Sequence, residues 1–551
     1  MDKEQYEVRV SALDVDTGEV DRPLTFWQKV DRFCALDSKT EGVHSNHDLD
    51  PVPPEEQNWN MRHYALFWIS DHLSVSGFRS AASVMEVGLS WRLALVNIAL
   101  ANLVGGFFIT LNGIVGAKYH IPFSIQSRAA YGYYLSYLMI LMRCIVGIFW
   151  YGIQIYTGAE CVQSMLYALW PSFRNVKNTL PESANITTQF MTAYVIYFIT
   201  CLPFHYVGVQ RLKWLFLVKA ITTPICAFAI MGWMINSVGL GDMFKDGNTV
   251  HGSTLAWTFV ACFNSNVGSG TTLMVNAPDY SRYAKKISST YITTFAVPFT
   301  STIVTFIGVV FAAGSKLLYG TILWDPLLII NNWTSSGGRA AAFFCAFSFY
   351  LSQVGLNIAA NSLAAANDLN CIFPRYINIR RGQFIAAVLG SWALTPWNIL
   401  TSASGFLNFM SGYSIWLGPI FGILVSDYFF VHKQQYDVPG LYDFKGRYAY
   451  RYGCNWRAFA AFTCGWVPLL PGFIPTISGS TQANQGIGHL YKLGFWFGTG
   501  VGGLVYFVLC KFFPAEETYV EQGIYADEAV ARDEDVEAYQ YSSEEFEKRM
   551  S

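Results

Sequence analysis

Two side chains of contrasting chemistry lie one helical turn apart inside a long apolar run. The stretch "FWYGIQ" places Trp150 and Gln154 four residues apart, so in a helix they share a face. Gln offers one acceptor and two donors, and Trp offers a flat apolar face. Together they suit a planar polar ring, such as an amide-like heterocycle. Alone, the pair also fits a Gln that bridges two helices beside a packed Trp.

A second set of polar residues lies in the stretch "LSQVGLNIAANSLAAANDLNCIF". Asn357, Asn361 and Asp368 recur there at intervals of four and seven residues, which places them on one stripe of a helix. A polar stripe on an otherwise apolar helix must face the interior of a helix bundle, and the many alanines around it permit close helix packing. The stripe therefore favours a binding site that includes the Trp150 and Gln154 face.

Further ionisable residues interrupt the apolar runs. Charged groups at membrane depth are costly and are functional candidates by default. Asp71 is the strongest candidate because it lies deep in the first run, next to small polar residues. Arg143, Glu160 and Lys219 also fit positions near the membrane interface, from which long side chains reach water. No role is predicted for Arg79.

The composition is that of a membrane protein. The 551 residues are 52% hydrophobic and 13% charged, against about 25% charged in soluble proteins. The net charge of −2 excludes a basic nucleic-acid surface. The 11 Cys have neither metal-ligand nor disulfide spacing. An enzyme is not predicted, because no nucleophile–base pair or phosphate loop is present.

Apolar runs of about 20 residues predict membrane-spanning helices, between an N-terminal tail (1–62) and an acidic, flexible C-terminal tail (514–551). The predicted twelve-helix domain covers 63–513. Spans 1 to 12 are 63–89, 93–116, 136–166, 190–208, 212–238, 255–277, 291–315, 338–366, 382–400, 402–430, 455–476 and 489–513.

Loop charge predicts the orientation. The even-numbered loops and the span ends beside them carry fifteen Lys and Arg, and the odd-numbered loops with their span ends carry seven, so both termini are predicted to be cytoplasmic. Glycosylation acceptor patterns at Asn185 and Asn332 fall in odd-numbered loops, on the predicted outside. We expect a multi-pass plasma-membrane protein whose tails control turnover through ubiquitin or trafficking machinery.

Spans 1 and 6 are predicted to be interrupted helices. Span 1 contains Asp71, Ser74, Ser76 and Gly77 at mid-depth, and span 6 contains "FNSNVGSG". Matching interruptions at the starts of two five-helix sets point to a transporter binding site, with spans 11 and 12 appended. The alternative is that Gly and Ser only allow close helix packing.

The sequence resembles the nucleobase:cation symporter-1 family, in its Fur-type branch of fungal permeases for uracil, allantoin and related compounds. The resemblance covers about residues 46–513. It rests on the motifs "NHDLDPVP", "NWNMRHYALFWISD", "FWYGIQ", "VNAPDYSRYAKK", "NIAANSLAAANDLNCIFPRYINIRRG", "TPWNIL" and "NWRAFAAFTCGWVPLLPGF".

The resemblance implies an all-α membrane protein of twelve helices with a LeuT-like five-plus-five inverted repeat. It also implies that the substrate ring stacks on Trp150 and bonds to Gln154 and Asn361, while Asn357 is a candidate from the polar stripe alone. Acidic residues that map onto Asp71 and Asp368 are associated with proton coupling in this branch. No cofactor is implied.

Two departures from the family pattern qualify this prediction. Sodium-coupled bacterial relatives hold Na⁺ with span 8 hydroxyls, where this chain has Gly355-Leu356, and this favours H⁺ over Na⁺. Relatives often carry an aromatic residue in span 6 where this chain has Gly270, so the pocket is predicted to be roomier.

The predicted function is proton-coupled import of a small planar nitrogenous compound of the uracil or allantoin class by alternating access. The alternatives are a carrier of a larger ligand, such as a nucleoside, nicotinamide riboside or thiamine, and a non-transporting sensor of the same fold.

Overall fold

The computed structural model describes residues 34–36, 45–207, 213–400, 402–480 and 484–525. The chain divides into two units, Met1–Glu41 and Gly42–Ser551, and the helices named below belong to the second. Within the described residues, all regular structure is helical apart from two isolated bridges. The prediction of an all-α protein is therefore confirmed.

Nine helices in the described ranges are each long and apolar enough to cross a membrane. They correspond to spans 2–5, 7, 8 and 10–12, whereas spans 1, 6 and 9 are divided into shorter helices, so the count of twelve remains a prediction. The nine are Trp91–Tyr119, Tyr133–Leu169, Glu182–Tyr206, Trp214–Val238, Ile287–Tyr319, Ser336–Ile372, Ala403–Val431, Arg451–Ser478 and Gly494–Phe512.

Span 1 is broken where the sequence predicted. Its N-terminal half is Met61–His72 and its C-terminal half is Val75–Glu86; they are called the inner and outer halves after the orientation predicted from loop charge. The carbonyl of Leu73, at the break, accepts a hydrogen bond of 3.0 Å from the Ser352 hydroxyl of span 8. This contact satisfies a backbone group that the break removes from the helix.

Span 6 is divided into Gly252–Ser269, Thr271–Val275 and Ala277–Ser281. The last division precedes Pro278, which has no backbone N–H to continue the helix. Spans 1 and 6 therefore both lose their regular backbone in mid-course. Span 9 is also divided, with a helix Ile379–Val388 and a single turn at Pro396–Asn398.

The helices pack as a bundle with apolar groups outward. Span 3 packs on spans 4 and 8, span 7 packs on span 2 and on the outer half of span 1, and span 10 packs on spans 6 and 12. Large apolar side chains such as Leu66, Phe107, Phe295 and Phe344 are exposed. An exposed apolar exterior is what a lipid-facing surface requires.

A short buried helix, Phe123–Tyr131, lies between spans 2 and 3 and was not predicted. All nine of its residues are buried. Its Gln126 donates a hydrogen bond of 2.9 Å to Asn112 of span 2. The sequence signal is weak because the segment is shorter than a span and carries polar residues in its interior.

Segments from both ends of the chain pack on one face of the molecule, here called the terminal face. At the N-terminal end, Tyr442, in the loop between spans 10 and 11, donates a hydrogen bond of 2.8 Å to the Leu49 carbonyl. The Trp59 backbone also pairs with the loop after span 6. Residues 45–60, predicted as part of a tail, are thus integral to the transporter body.

The C-terminal segment corrects the prediction of a flexible tail from 514 onward. Ile524 forms a parallel bridge with Asp437, and buried Thr518 lies 3.0 Å from the His432 ring nitrogen Nε2. Residues 513–525 therefore pack on the terminal face and are here called the strap. The rest of the predicted tail, 526–551, lies outside the described residues.

Candidate substrate site

A central cavity lies between the two halves of span 1 and spans 2, 3, 6, 7, 8 and 10. Five of the seven predicted site residues line it, while Asn357 and Asp368 do not. The five are Asp71, Trp150, Gln154, Gly270 and Asn361. The breaks in spans 1 and 6 therefore lie at the cavity, as interrupted helices do where backbone at membrane depth lines a site.

Gln154 and Asn361 bring two amide groups to the cavity wall. Gln154 Nε2 lies 3.2 Å from the Ser76 hydroxyl, just past the break in span 1. Asn361 Nδ2 donates a hydrogen bond of 3.1 Å to Asn357 Oδ1. None of the described groups donates a hydrogen bond to Asn361 Oδ1. Asn361 therefore presents an open acceptor to the cavity.

Asn357 has a different position from the one predicted. It is fully buried behind Asn361, and its Nδ2 donates 3.3 Å to the Tyr151 carbonyl of span 3. A π-helical turn, Asn357–Ser362, interrupts span 8 at this point. Such turns change which residues share a face and are frequent at functional sites. Asn357 therefore orients Asn361 and does not face the cavity.

Trp150 is half-buried and held by a hydrogen-bond relay. Its Nε1 donates 3.0 Å to the Tyr413 hydroxyl, which donates 3.2 Å to the Ser269 carbonyl. Phe406 of span 10 also lines the cavity, with its ring edge-on to Trp150 at 6.4 Å. Sequence reasoning missed Phe406 and Tyr413, because span 10 carries many aromatic residues and no pattern singles these two out.

Gly270 lies at the cavity with an ordinary helical backbone, φ −84° and ψ −5°. A Cβ atom built there would lie 3.5 Å from Met274 Cε and 3.6 Å from the Val267 carbonyl oxygen. Both are ordinary van der Waals contacts. The backbone therefore does not require glycine here, and a methyl group would fit without a clash.

Asp71 lies at the end of the inner half of span 1, beside His72, whose Nδ1 is 3.9 Å from the carboxylate. A second buried ionisable residue, Lys219, lies in span 5. Lys219 is 2% exposed, and a Cβ atom at Gly355 of span 8 would lie 3.0 Å from its Cδ. Lys219 is thus buried between helices and does not reach the interface.

Asp368 forms a buried ion pair with Arg143, away from the cavity. Both side chains are about 1% exposed, and the pair joins span 8 to span 3. Arg143 also donates to the Ala364 carbonyl. The interface position considered for Arg143 is therefore wrong. Because the Arg143 guanidinium is buried between helices, its positive charge requires a carboxylate partner such as Asp368.

Two discontinuous helices around a buried polar and aromatic cavity define the class of this protein, a helical membrane transporter with a central substrate site. The chain belongs to the family of permeases for cytosine/purines, uracil, thiamine and allantoin, whose sequence profile matches residues 51–498. The predicted family is confirmed, and its members are transporters, not enzymes.

Several fungal permeases are similar over nearly the whole chain. An uncharacterized permease of Schizosaccharomyces pombe is 40% identical over 95% of this chain and 94% of its own. The uracil permease of Saccharomyces cerevisiae is 32% identical over 89% of this chain and 80% of its own, and the allantoin permease of the same yeast is 32% identical over 90% and 81%. A thiamine transporter and nicotinamide riboside transporter 1 of this yeast are each 29% identical.

The fold matches that of Mhp1, a nucleobase-cation-symport-1 family transporter. Its closed conformation with bromovinylhydantoin bound aligns with a TM-score of 0.66 at 22% identity, over 85% of this chain and 97% of that chain. Its inward-facing conformation has the same TM-score over 88% and 97%. The predicted LeuT-like fold is thereby confirmed.

Proposed function

We propose that this protein is a proton-coupled symporter that imports a nucleobase or related planar compound of the uracil or allantoin class by alternating access. The observation that carries the proposal is the convergence of two amides, Gln154 and Asn361, and two aromatic rings, Trp150 and Phe406, on one buried cavity. These groups come from spans 3, 8 and 10, so only the folded bundle assembles them.

The chemistry of the wall matches that of a lactam or ureido ring. Such a ring has alternating N–H donors and C=O acceptors along its edge and a flat face. The Asn361 acceptor and the Gln154 amide can pair with the edge, while Trp150 and Phe406 contact the face. A desolvated polar edge needs these partners, since an unpaired buried group costs about 1–3 kcal/mol.

The test is uptake of radiolabelled uracil in cells without their own carriers, with purines, pyrimidines, allantoin and vitamins as competitors. Gln154→Ala and Asn361→Ala should abolish uptake while surface protein stays normal. Gln163→Ala, in the same span but outside the cavity, is the matched control and should transport normally. Normal uptake by both site variants would refute the site.

The coupling ion is proposed to be H⁺, on two observations at the break of span 1. Ser352 donates to the Leu73 carbonyl, so this oxygen is already paired with a protein donor. The stem of Lys219 packs on Gly355, where sodium-coupled relatives are expected to carry a hydroxyl. We infer that the ammonium group of buried Lys219 takes the place of a bound metal cation, and Asp71 is the proposed proton carrier.

A larger substrate is the second candidate, and the absence of a side chain at Gly270, on the cavity wall, favours it. Among the relatives are proteins named as thiamine and nicotinamide riboside transporters. Such ligands add a second group to the ring, and this group could occupy the space beside Gly270. In the competition assay this candidate predicts that a vitamin displaces uracil or that uracil itself is not taken up.

The orientation proposed from loop charge places the terminal face in the cytoplasm. The strap and residues 45–60 would then be cytoplasmic, where ubiquitin or trafficking machinery can reach the tails. The exposed acceptor asparagines, Asn185 and Asn332, would face outside. Treatment with a deglycosylating enzyme should increase the electrophoretic mobility of the wild-type protein. It should leave the mobility of the Asn185→Gln/Asn332→Gln variant unchanged.

A further inference from the structure

A charged cluster lies outside the substrate cavity, between the outer half of span 1, span 3 and the loop between spans 7 and 8. At its centre is Arg79, which is 1% exposed. Its Nη2 pairs with both Glu160 of span 3 and Asp325 of the loop. Its Nη1 donates 2.7 Å to the Thr157 hydroxyl, and its guanidinium carbon lies 5.3 Å from the centre of the Trp324 ring.

The formal charges of this cluster do not balance. One guanidinium faces two carboxyl groups, and in the described part of the chain no second Lys or Arg is ion-paired with either of them. The neighbouring titratable groups on span 3, Tyr156 and Cys161, are a phenol and a thiol and carry no positive charge. Asp325 is 2% exposed and Glu160 is 16% exposed, so two ionised carboxylates would leave a largely desolvated net negative charge, which is unfavourable.

The geometry between the two acids points to what restores the balance. Glu160 and Asp325 both pair with the same Nη2 atom of Arg79, so their carboxyl oxygens lie close together. Two ionised carboxylates at one nitrogen repel each other, and a proton on one of them removes this repulsion. The Arg79 Nε atom is also buried without a partner. The guanidinium thus concentrates both acids on one nitrogen instead of separating them on two.

We propose that Glu160 and Asp325 hold one proton between them, so that this cluster is a proton-binding site distinct from the substrate cavity. With one proton the cluster is neutral, and it ties the outer half of span 1 to span 3 and to the loop. Movement of span 1 away from span 3 would remove Arg79 from Glu160 and change the affinity of the pair for its proton. This inference does not depend on the identity of the substrate or on Asp71 as the coupling residue.

The test is infrared spectroscopy of the purified full chain in detergent at neutral pH. E160Q and D325N should each lose the absorption of one protonated carboxyl group relative to wild type, because the remaining acid then ionises beside Arg79. D437N is the matched control, since Asp437 is ion-paired with Arg447 on the terminal face, and it should lose none. An unchanged protonated-carboxyl absorption in both E160Q and D325N would overturn the proposal.

Protein yield gives a second, independent readout. An amide has the shape and charge of a protonated acid, so at least one of E160Q and D325N should reach the cell surface at a level within about twofold of wild type. The double variant E160Q/D325N leaves the buried Arg79 guanidinium without a counterion. Its surface level should be at least tenfold lower than that of wild type. If neither single variant reaches the surface, both acids are ionised in the native protein and the proposal is wrong.

Discussion

At the scale of single residues, Trp150 is proposed as a ring platform, and its substitutions separate stacking from hydrogen bonding. Trp150→Phe keeps a ring face but loses the bond to Tyr413, so uptake should be partial. Trp150→Ala should abolish uptake, because an aromatic pair contributes about 0.5–1.5 kcal/mol beyond buried area. Tyr413→Phe is the control for the lost hydrogen bond alone. Equal uptake by the Ala and Phe variants of Trp150 would contradict a stacking role.

Gly270 is expected to set the size of the substrate. Because its backbone is helical and an added Cβ would make only ordinary van der Waals contacts, Gly270→Ala should fold and change selectivity little. Gly270→Trp should exclude a large substrate while retaining a small ring such as uracil. Inhibition constants for the competitor panel measure this shift. If Gly270→Ala is retained inside the cell as strongly as Gly270→Trp, the position is structural.

At the scale of helices, the break in span 1 depends on a close approach at Gly77. A Cβ atom there would lie 2.7 Å from Val304 Cγ1 of span 7 and 2.8 Å from the His72 carbonyl oxygen. Gly77→Ala should therefore lower stability by about 1–3 kcal/mol, as overpacking does. Thermal unfolding in detergent measures the effect. Gly500→Ala in span 12, with no atom near its added Cβ, should unfold as wild type does.

At the scale of the whole molecule, the strap should support the transporter body. Deleting 526–551 removes no described contact and should leave the amount of protein and the substrate profile unchanged. Deleting 513–551 also removes the pairing of Ile524 with the loop after span 10 and the contact of Thr518 with His432. That variant should show several-fold less surface protein. Equal surface levels for the two truncations would mean that the strap is dispensable.

Transport should depend on the proton gradient as a property of the complete cycle. Uptake is expected to collapse when a protonophore is added and to stay constant when choline replaces Na⁺. Lys219→Met should also lose uptake, because it removes the buried ammonium group while keeping the packing of the stem on Gly355. A strong Na⁺ requirement in wild type would contradict the proposed coupling ion.

The sequence alone was sufficient for features that depend on local chemistry. Composition and hydropathy predicted an all-α membrane protein, since only helices and closed barrels satisfy their backbone in lipid and apolar runs of about 20 residues have the length of a spanning helix. Clusters of small and polar residues located the breaks in spans 1 and 6. The four-residue spacing of Trp150 and Gln154 placed both at the cavity, because they share one regular helix.

Only the tertiary structure decided which of the other polar residues face the site. The π-helical turn in span 8 directs Asn361 to the cavity and places Asn357 behind it. Arg143 of span 3 pairs with Asp368 and so holds this carboxylate away from the cavity. Phe406 and the Arg79 partners come from distant parts of the chain, so no local spacing signals them. A buried charge must find a partner wherever the fold brings one, and that partner is a property of the packed bundle and not of the sequence pattern.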